Sequence, residues 1–108
     1  MSSKNNNLRR IRGTTKPYTL ALEESGAGFT FRMVVDTREA PDDDSTEVMD
    51  MTGVLAAGNL AVDFTPSAGE AAAAAGRYYF QIQRTRVSDS QVDYVAEGVL
   101  EMVESIPK

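Results

Sequence analysis

The amino-acid sequence predicts an all-β protein, an antiparallel sandwich of about seven strands with one short helix. Apolar residues recur at every second position in several short segments, which is the period of a strand with one buried face. Residues that favour turns, mainly glycine, asparagine and aspartate, separate these segments. The chain has 108 residues, of which 42% are hydrophobic. One domain with a modest core is therefore expected.

Two alternating segments, residues 18–22 and 29–35, predict the first strands. In the second segment Phe29, Phe31 and Met33 fall on one face, as a half-buried sheet requires. The stretch between the two segments contains two glycines, which supply the positive φ that a tight turn needs. These patterns predict two strands joined by a turn.

Residues 36–46 are polar and contain Asp42, Asp43 and Asp44 in a row. A solvated loop is the main interpretation of this stretch. A cation site is the alternative, although the spaced ligands and central glycine of an EF-hand loop are absent from the sequence.

The middle of the chain predicts a short strand over residues 47–54 and a hairpin over residues 54–64. A helix is predicted over residues 65–76, because Ser67 and Glu70 have the spacing of a capping box and an alanine run follows them. The helix is short enough to need packing against the rest of the domain.

The last part of the chain predicts strands over residues 77–83, 91–97 and 99–104. The number and spacing of all the strands are typical of an Ig-like sandwich, in which two antiparallel sheets close over one core. The predicted core consists of the apolar residues that alternate inward. They are Leu20, Leu22, Phe29, Phe31, Met33, Leu60, Val62, Phe64, Tyr78, Phe80, Ile82, Leu100 and Met102. Tyr79 alternates to the opposite face and is therefore the candidate interface residue of the sheet surface.

The composition excludes several classes of chemistry. The sequence has no cysteine and no histidine, so disulfides, thiolate zinc sites and imidazole bases are ruled out. No glycine-rich phosphate-binding motif is present. The polar start lacks the apolar stretch of a signal peptide, and no segment is long and apolar enough to cross a membrane. We expect a protein that is not an enzyme, with no cofactor, no small-molecule substrate and no membrane partner.

Charge is distributed unevenly along the chain. Residues 1–16 carry five basic side chains and no acidic one, whereas the rest of the chain carries 6 basic and 16 acidic side chains. The five basic residues are Lys4, Arg9, Arg10, Arg12 and Lys16. This asymmetry predicts a flexible basic arm over residues 1–12 and the sandwich domain over residues 13–108.

Two interpretations of the basic arm stay open. It is either a solvated terminus or a segment that docks onto an acidic neighbour, including a second copy of the chain. Nucleic-acid binding is a third interpretation. The acidic body would repel phosphates, and no aromatic side chain is interleaved with the basic ones, so the sequence argues against it.

Three segments match motifs of a known family in order and spacing. They are Arg12-Gly13-Thr14-Thr15-Lys16-Pro17-Tyr18-Thr19-Leu20, Gly76-Arg77-Tyr78-Tyr79-Phe80-Gln81-Ile82-Gln83 and Glu97-Gly98-Val99-Leu100-Glu101-Met102-Val103. With these segments the chain resembles the N-terminal Ig-like domain of phage baseplate upper proteins and related small tail proteins, over roughly residues 12–106. Thr14 departs from the pattern, because the family often has aspartate there.

The resemblance implies a structural component of a tailed-bacteriophage virion, in the tail, baseplate or neck. Such a protein is made in the host cytoplasm and resides in the virion, where its partners are other virion proteins and copies of itself. It would act as an assembly module through its sheet edges and its N-terminal arm. A capsid decoration or head-fibre base protein is one alternative. A carbohydrate-binding module with an exposed aromatic platform is another.

Overall fold

A computed structural model describes residues 4–39 and 45–104 of the chain. These residues form eight strands and one short helix, so the all-β prediction is confirmed with one strand more than expected. The elements are β1 (Lys4–Ile11), β2 (Tyr18–Ala21), β3 (Phe29–Asp36), β4 (Glu47–Thr52), β5 (Val54–Leu55), β6 (Ala61–Phe64), α1 (Ala68–Ala71), β7 (Gly76–Arg86) and β8 (Val92–Val103).

The strands form two sheets, one of five strands in the order β1-β8-β7-β3-β4 and one of three strands in the order β2-β6-β5. The order β8-β7-β3-β4 corresponds to strands G, F, C and C′ of a variable-type Ig domain, and β2-β6-β5 corresponds to strands B, E and D. All pairs are antiparallel except β1 with β8, which is parallel. The topology is that of an Ig-like sandwich.

The core lies between the two sheets and follows the predicted alternation closely. Nine of the thirteen predicted residues, those of β3, β6, β7 and β8 apart from Phe29, are buried. The buried nine are Phe31, Met33, Val62, Phe64, Tyr78, Phe80, Ile82, Leu100 and Met102, and the partly buried residues that pack against them are Leu20, Leu22 and Phe29. The prediction was wrong for Leu60, which is 55% exposed. Gly58 and Asn59 adopt positive φ in the hairpin turn, so Leu60 lies before β6 and outside the alternation.

A tyrosine at the start of β7 fixes the connection between the two sheets. Tyr78 is buried, and its hydroxyl donates a hydrogen bond of 2.6 Å to the carbonyl of Ala74, four residues upstream. This arrangement is the tyrosine corner of Ig-like sandwiches. It orients the start of β7 toward the core without the disulfide that antibody domains have.

The helix is shorter than the sequence predicted. Ser67 and Glu70 form the predicted capping box, but the helix covers only Ala68–Ala71, with Ala72 at its C-cap. The carbonyls of the next three alanines accept hydrogen bonds from Arg12 and Tyr78 instead of continuing helical bonding. Tertiary contacts therefore override the helix propensity of the alanine run.

The last two predicted strands are one continuous strand, β8. Gly98 pairs with Phe80 inside the ladder, so this glycine does not interrupt the strand. The register shifts between Ile82 and Gln83, which is a bulge near the hairpin end.

The predicted flexible arm is not separate from the domain in residues 4–11. These residues form β1, which pairs along its whole length with β8, from Lys4 opposite Ala96 to Ile11 opposite Val103. Leu8 packs against the core, so the segment contributes apolar contacts to the domain as well as backbone pairing. The domain therefore begins by Lys4 rather than at residue 13; residues 1–3 lie outside the described residues. The aspartate run at residues 42–44 lies outside them as well.

Candidate interaction surface

Arg10, a predicted arm residue, faces the body of the protein. Its guanidinium donates hydrogen bonds to the carbonyls of Lys16 (2.6 Å) and Pro17 (2.8 Å). It also lies 3.9 Å from the centroid of the Tyr18 ring, within range of a cation–π interaction. Burial raises the pKa of the Tyr18 hydroxyl, and the Arg10 charge opposes that shift. Arg10 therefore ties β1 to the start of β2.

Arg12 also makes internal contacts. Its Nε donates to the carbonyls of Ala72 (3.0 Å) and Ala73 (3.2 Å), and its Nη1 lies 3.5 Å from Glu104 Oε1. Carbonyls at the end of a helix have no partner within the helix. Arg12 supplies donors to that end and holds the segment after β1 against α1.

The other predicted arm residues are dispersed. Arg9 points to the opposite side of β1, where its Nε lies 3.6 Å from Glu101 Oε1 and its side chain is 75% exposed. Lys16 is exposed in the connection to β2, and no side-chain placement is described for Lys4. The structure thus does not gather the five basic residues into one docking site. Of the described ones, only Arg9 belongs to an open sheet face.

That open face is the outer surface of the five-stranded sheet. The ladder places Asn7, Val99 and Tyr79 side by side across β1, β8 and β7. The next row toward the end of β8 contains Arg9, Glu101 and Arg77. We call these six residues the outer patch. Tyr79 and Val99 are half-buried at its centre, and the charged residues are exposed.

A shallow depression of about 440 Å³ lies over this part of the sheet. Its lining mixes charges of both signs with apolar surface. The lining residues are Asn7, Glu39, Arg77, Tyr79, Phe80, Gln81, Glu97, Gly98 and Val99. A polar, two-sign surface with an aromatic residue at its centre is suited to contact with another protein.

A second opening lies between the two sheets, at the side where β1 and β2 are the outer strands. This groove of about 360 Å³ reaches core residues that include Leu20, Phe64 and Ile82. Arg10 and Tyr18 also line it. Because β2 is an edge of its sheet, its backbone groups on this side have no strand partner in the described part of the chain.

The buried polar chemistry of the described residues serves the fold. Asp36 is the buried acidic residue, and its Oδ1 accepts hydrogen bonds from the Arg38 N–H (2.8 Å) and the Thr46 hydroxyl (2.6 Å). These bonds hold the two ends of the β3–β4 connection together. Within residues 4–39 and 45–104, no three histidine, cysteine, aspartate or glutamate residues are grouped to hold a metal ion. No helix in the same ranges is long and apolar enough to span a membrane.

The aromatic residues do not form a platform on the described surface. Tyr18 and Tyr78 are buried, and Tyr79 is half-buried. Tyr94 is 52% exposed, but it pairs with Gln83, four residues along β7 from Tyr79. The two accessible tyrosines are therefore too far apart to stack on one sugar ring.

The sequence singled out Tyr79 as a candidate for the sheet surface but not its neighbours Arg77, Glu101 and Val99. The signal was available, because residues 77, 79, 81 and 83 alternate to the same side of one strand. The position of Glu101 beside Arg77 depends on the β7–β8 register, which the hairpin bulge makes hard to derive from spacing alone.

Comparison with known proteins identifies no family. No protein-family model matches the chain, and no curated protein matches it. One solved structure aligned with it is the extracellular domain of the voltage-gated sodium channel beta4 subunit, whose parallel homodimers are described as explaining its role in cell–cell adhesion. The two share 13% identity over 98% of this chain and 97% of the other, with a TM-score of 0.43. A likeness at that level carries no information about the function of this chain.

Proposed function

We propose that this chain is a non-enzymatic structural component of a tailed-phage virion, in the tail, baseplate or neck. The proposal rests on the resemblance of three segments, in their order and spacing, to motifs of the small tail and baseplate proteins. Those segments cover most of β2, most of β7 and the second half of β8. They contribute Tyr18, Phe80 and Leu100 to the core.

The surfaces of the domain support an assembly role. The edge of β2 is open beside an apolar groove, and β4 is the outer strand of the larger sheet. Open edges can accept a strand from a neighbour. The outer patch offers a second kind of contact, through side chains. In this proposal the edges and the outer patch carry the contacts, since Arg10 and Arg12 are bonded within the domain.

The proposal is tested by locating the chain in particles. A tagged copy is produced during infection, virions are purified through a density gradient, and gold-labelled antibody to the tag is imaged by electron microscopy. We expect labels on the tail, neck or baseplate. Labels on the head would favour the capsid-decoration alternative. Particles that contain no more of the chain than of an equally expressed host protein would contradict a virion role.

A further inference from the structure

The charges of the outer patch follow a pattern that is complementary to itself. Arg77 on β7 lies beside Glu101 on β8 in one row, and Tyr79 lies beside Val99 in the next. Arg77 is exposed and forms no ion pair with another residue in the described ranges. A surface with paired opposite charges on neighbouring strands can bind a copy of itself through a two-fold axis.

We propose that a second copy of this chain packs face to face on the outer patch. The two-fold axis runs parallel to the strands and passes between β7 and β8. This proposal is independent of where in a particle the chain resides, because it rests on the register and the charges of the sheet.

The axis determines which residues meet. Rotation about it lays β7 of one copy over β8 of the other, so Arg77 faces Glu101 of the second copy, and the reverse contact forms by symmetry. Tyr79 then faces Val99 of the second copy. Sheets that pack face to face keep their strand directions within about 30° of each other, which this arrangement allows.

The same charges disfavour the other simple arrangement. A two-fold axis perpendicular to the strands, through the row of Tyr79 and Val99, would lay β8 over β8. Glu101 would then face Glu97 of the second copy, twice. Like charges placed opposite each other across an interface suppress that orientation. The charge pattern therefore selects the axis along the strands.

The size of the face predicts a weak complex. The sheet has five strands. At about 4.8 Å of width per strand and about 3.3 Å per residue over about eight residues, its plan area is roughly 600 Å². A standard interface buries about 800 Å² per partner. We expect a dissociation constant of about 10 μM or weaker for the isolated pair. Within an assembly that holds several copies together, many such weak contacts can act jointly.

Sedimentation equilibrium of the full chain up to millimolar concentration tests the proposal with a charge swap. Arg77→Glu and Glu101→Arg should each weaken self-association about tenfold, because each places like charges at both symmetric contacts. The double variant Arg77→Glu/Glu101→Arg should return to within about threefold of the parent, since the pairs re-form with reversed sign. Arg86→Glu is the matched control, because Arg86 is an exposed arginine at the other end of β7, paired with Asp89 at 3.3 Å. It should leave self-association unchanged.

Three results would overturn the proposal: a parent chain that stays monomeric at millimolar concentration, a double variant as weak as the single ones, or an Arg86→Glu effect equal to that of Arg77→Glu. Circular dichroism and thermal unfolding show whether each variant is folded. If the self-association test fails but the chain is still found in particles, the virion proposal is unaffected. Conversely, if the chain self-associates but is absent from particles, only the virion proposal is contradicted.

Discussion

The two faces of the five-stranded sheet are formed by alternate residues of the same strands and differ sharply in exposure. On the inner face Met33, Val35 and Leu100 have no exposed surface. On the outer face, Arg77 and Glu101 are exposed and Tyr79 is half-buried. A strand thus presents a buried face and an exposed face on alternate residues. Substitutions at adjacent positions should therefore have very different effects.

The N-terminal strand shows the same division between neighbours. Arg10 faces the groove between the sheets, where it bonds two carbonyls and stacks on Tyr18. Arg9 faces outward and lies 3.6 Å from one exposed carboxylate. The two arginines are therefore expected to contribute differently to the free energy of unfolding, although they carry the same charge.

The largest contrast is expected between Phe80 and Tyr79. Phe80→Ala removes a side chain that is 3% exposed, and should lower the free energy of unfolding by about 3–5 kcal/mol, because it leaves a cavity between the sheets. Tyr79→Ala should cost at most about 1 kcal/mol, since the side chain lies on the open face. Urea denaturation of both variants measures the difference. Equal losses would mean that the outer face also serves as core.

A smaller loss of stability is expected from a substitution at Gly53, which lies between β4 and β5 and faces the core. A Cβ atom there would lie 2.5 Å from Val62 Cγ1 and 2.9 Å from Phe31 Cβ. Gly53→Ala should therefore cost about 1–3 kcal/mol through overpacking.

Gly69→Ala is the matched control for Gly53→Ala. A Cβ at Gly69, inside α1, would meet nothing nearer than Ser67 Oγ at 4.0 Å. This change should be neutral or stabilising by up to about 1 kcal/mol, because alanine favours the helix. Thermal unfolding compares the two, and a Gly53→Ala protein as stable as the parent would refute the close contact.

The sequence was most informative where alternation was unbroken. Residues 29–35 and 77–83 predicted their strands and inward faces, because a half-buried strand imposes its period on the sequence. Residues 4–11 contain a single large apolar residue before Ile11, namely Leu8, so local pattern could not show that this segment pairs with β8. Parallel pairing between the two ends of the chain is a tertiary contact that carries no local signal. The early end of the helix also depends on tertiary contacts, because Arg12 and Tyr78 donate hydrogen bonds to the carbonyls of alanines that would otherwise continue it.

The contrast between the two arginines of β1 can be measured directly. Arg10→Ala should cost about 1–2 kcal/mol, because two charged hydrogen bonds and a cation–π contact are lost at a partly exposed site. Arg9→Ala should change the free energy of unfolding by less than about 0.5 kcal/mol, since an exposed ion pair contributes little. Chemical denaturation at low and high salt checks both. If Arg9→Ala lowers the free energy of unfolding as much as Arg10→Ala does, then the net positive charge of β1 holds the strand in place, rather than the specific contacts of Arg10.

The smallest expected effect concerns an ion pair across β3 and β4. Arg32 donates through Nε and Nη2 to both carboxylate oxygens of Asp50, each at 2.6 Å. The hydrogen bond from Arg32 is the main cause that lowers the pKa of Asp50; burial opposes this shift, and the Arg32 charge lowers the pKa further. A carboxyl with a lowered pKa in the folded state stabilises the fold above its unfolded pKa. That contribution is lost as pH falls through the folded pKa.

Asp50→Asn should therefore destabilise the protein at pH 7 and have no effect at a pH below the folded pKa of Asp50. Because the Asp50 side chain is 44% exposed, the loss at pH 7 should be a few tenths of a kcal/mol, at most about 1 kcal/mol, and should shrink in 1 M salt. Urea denaturation of parent and variant from pH 7 to pH 2 measures the difference. A gap that widens toward acid would contradict the assigned direction of the pKa shift. A gap that is independent of pH would mean that the asparagine acts through packing rather than charge.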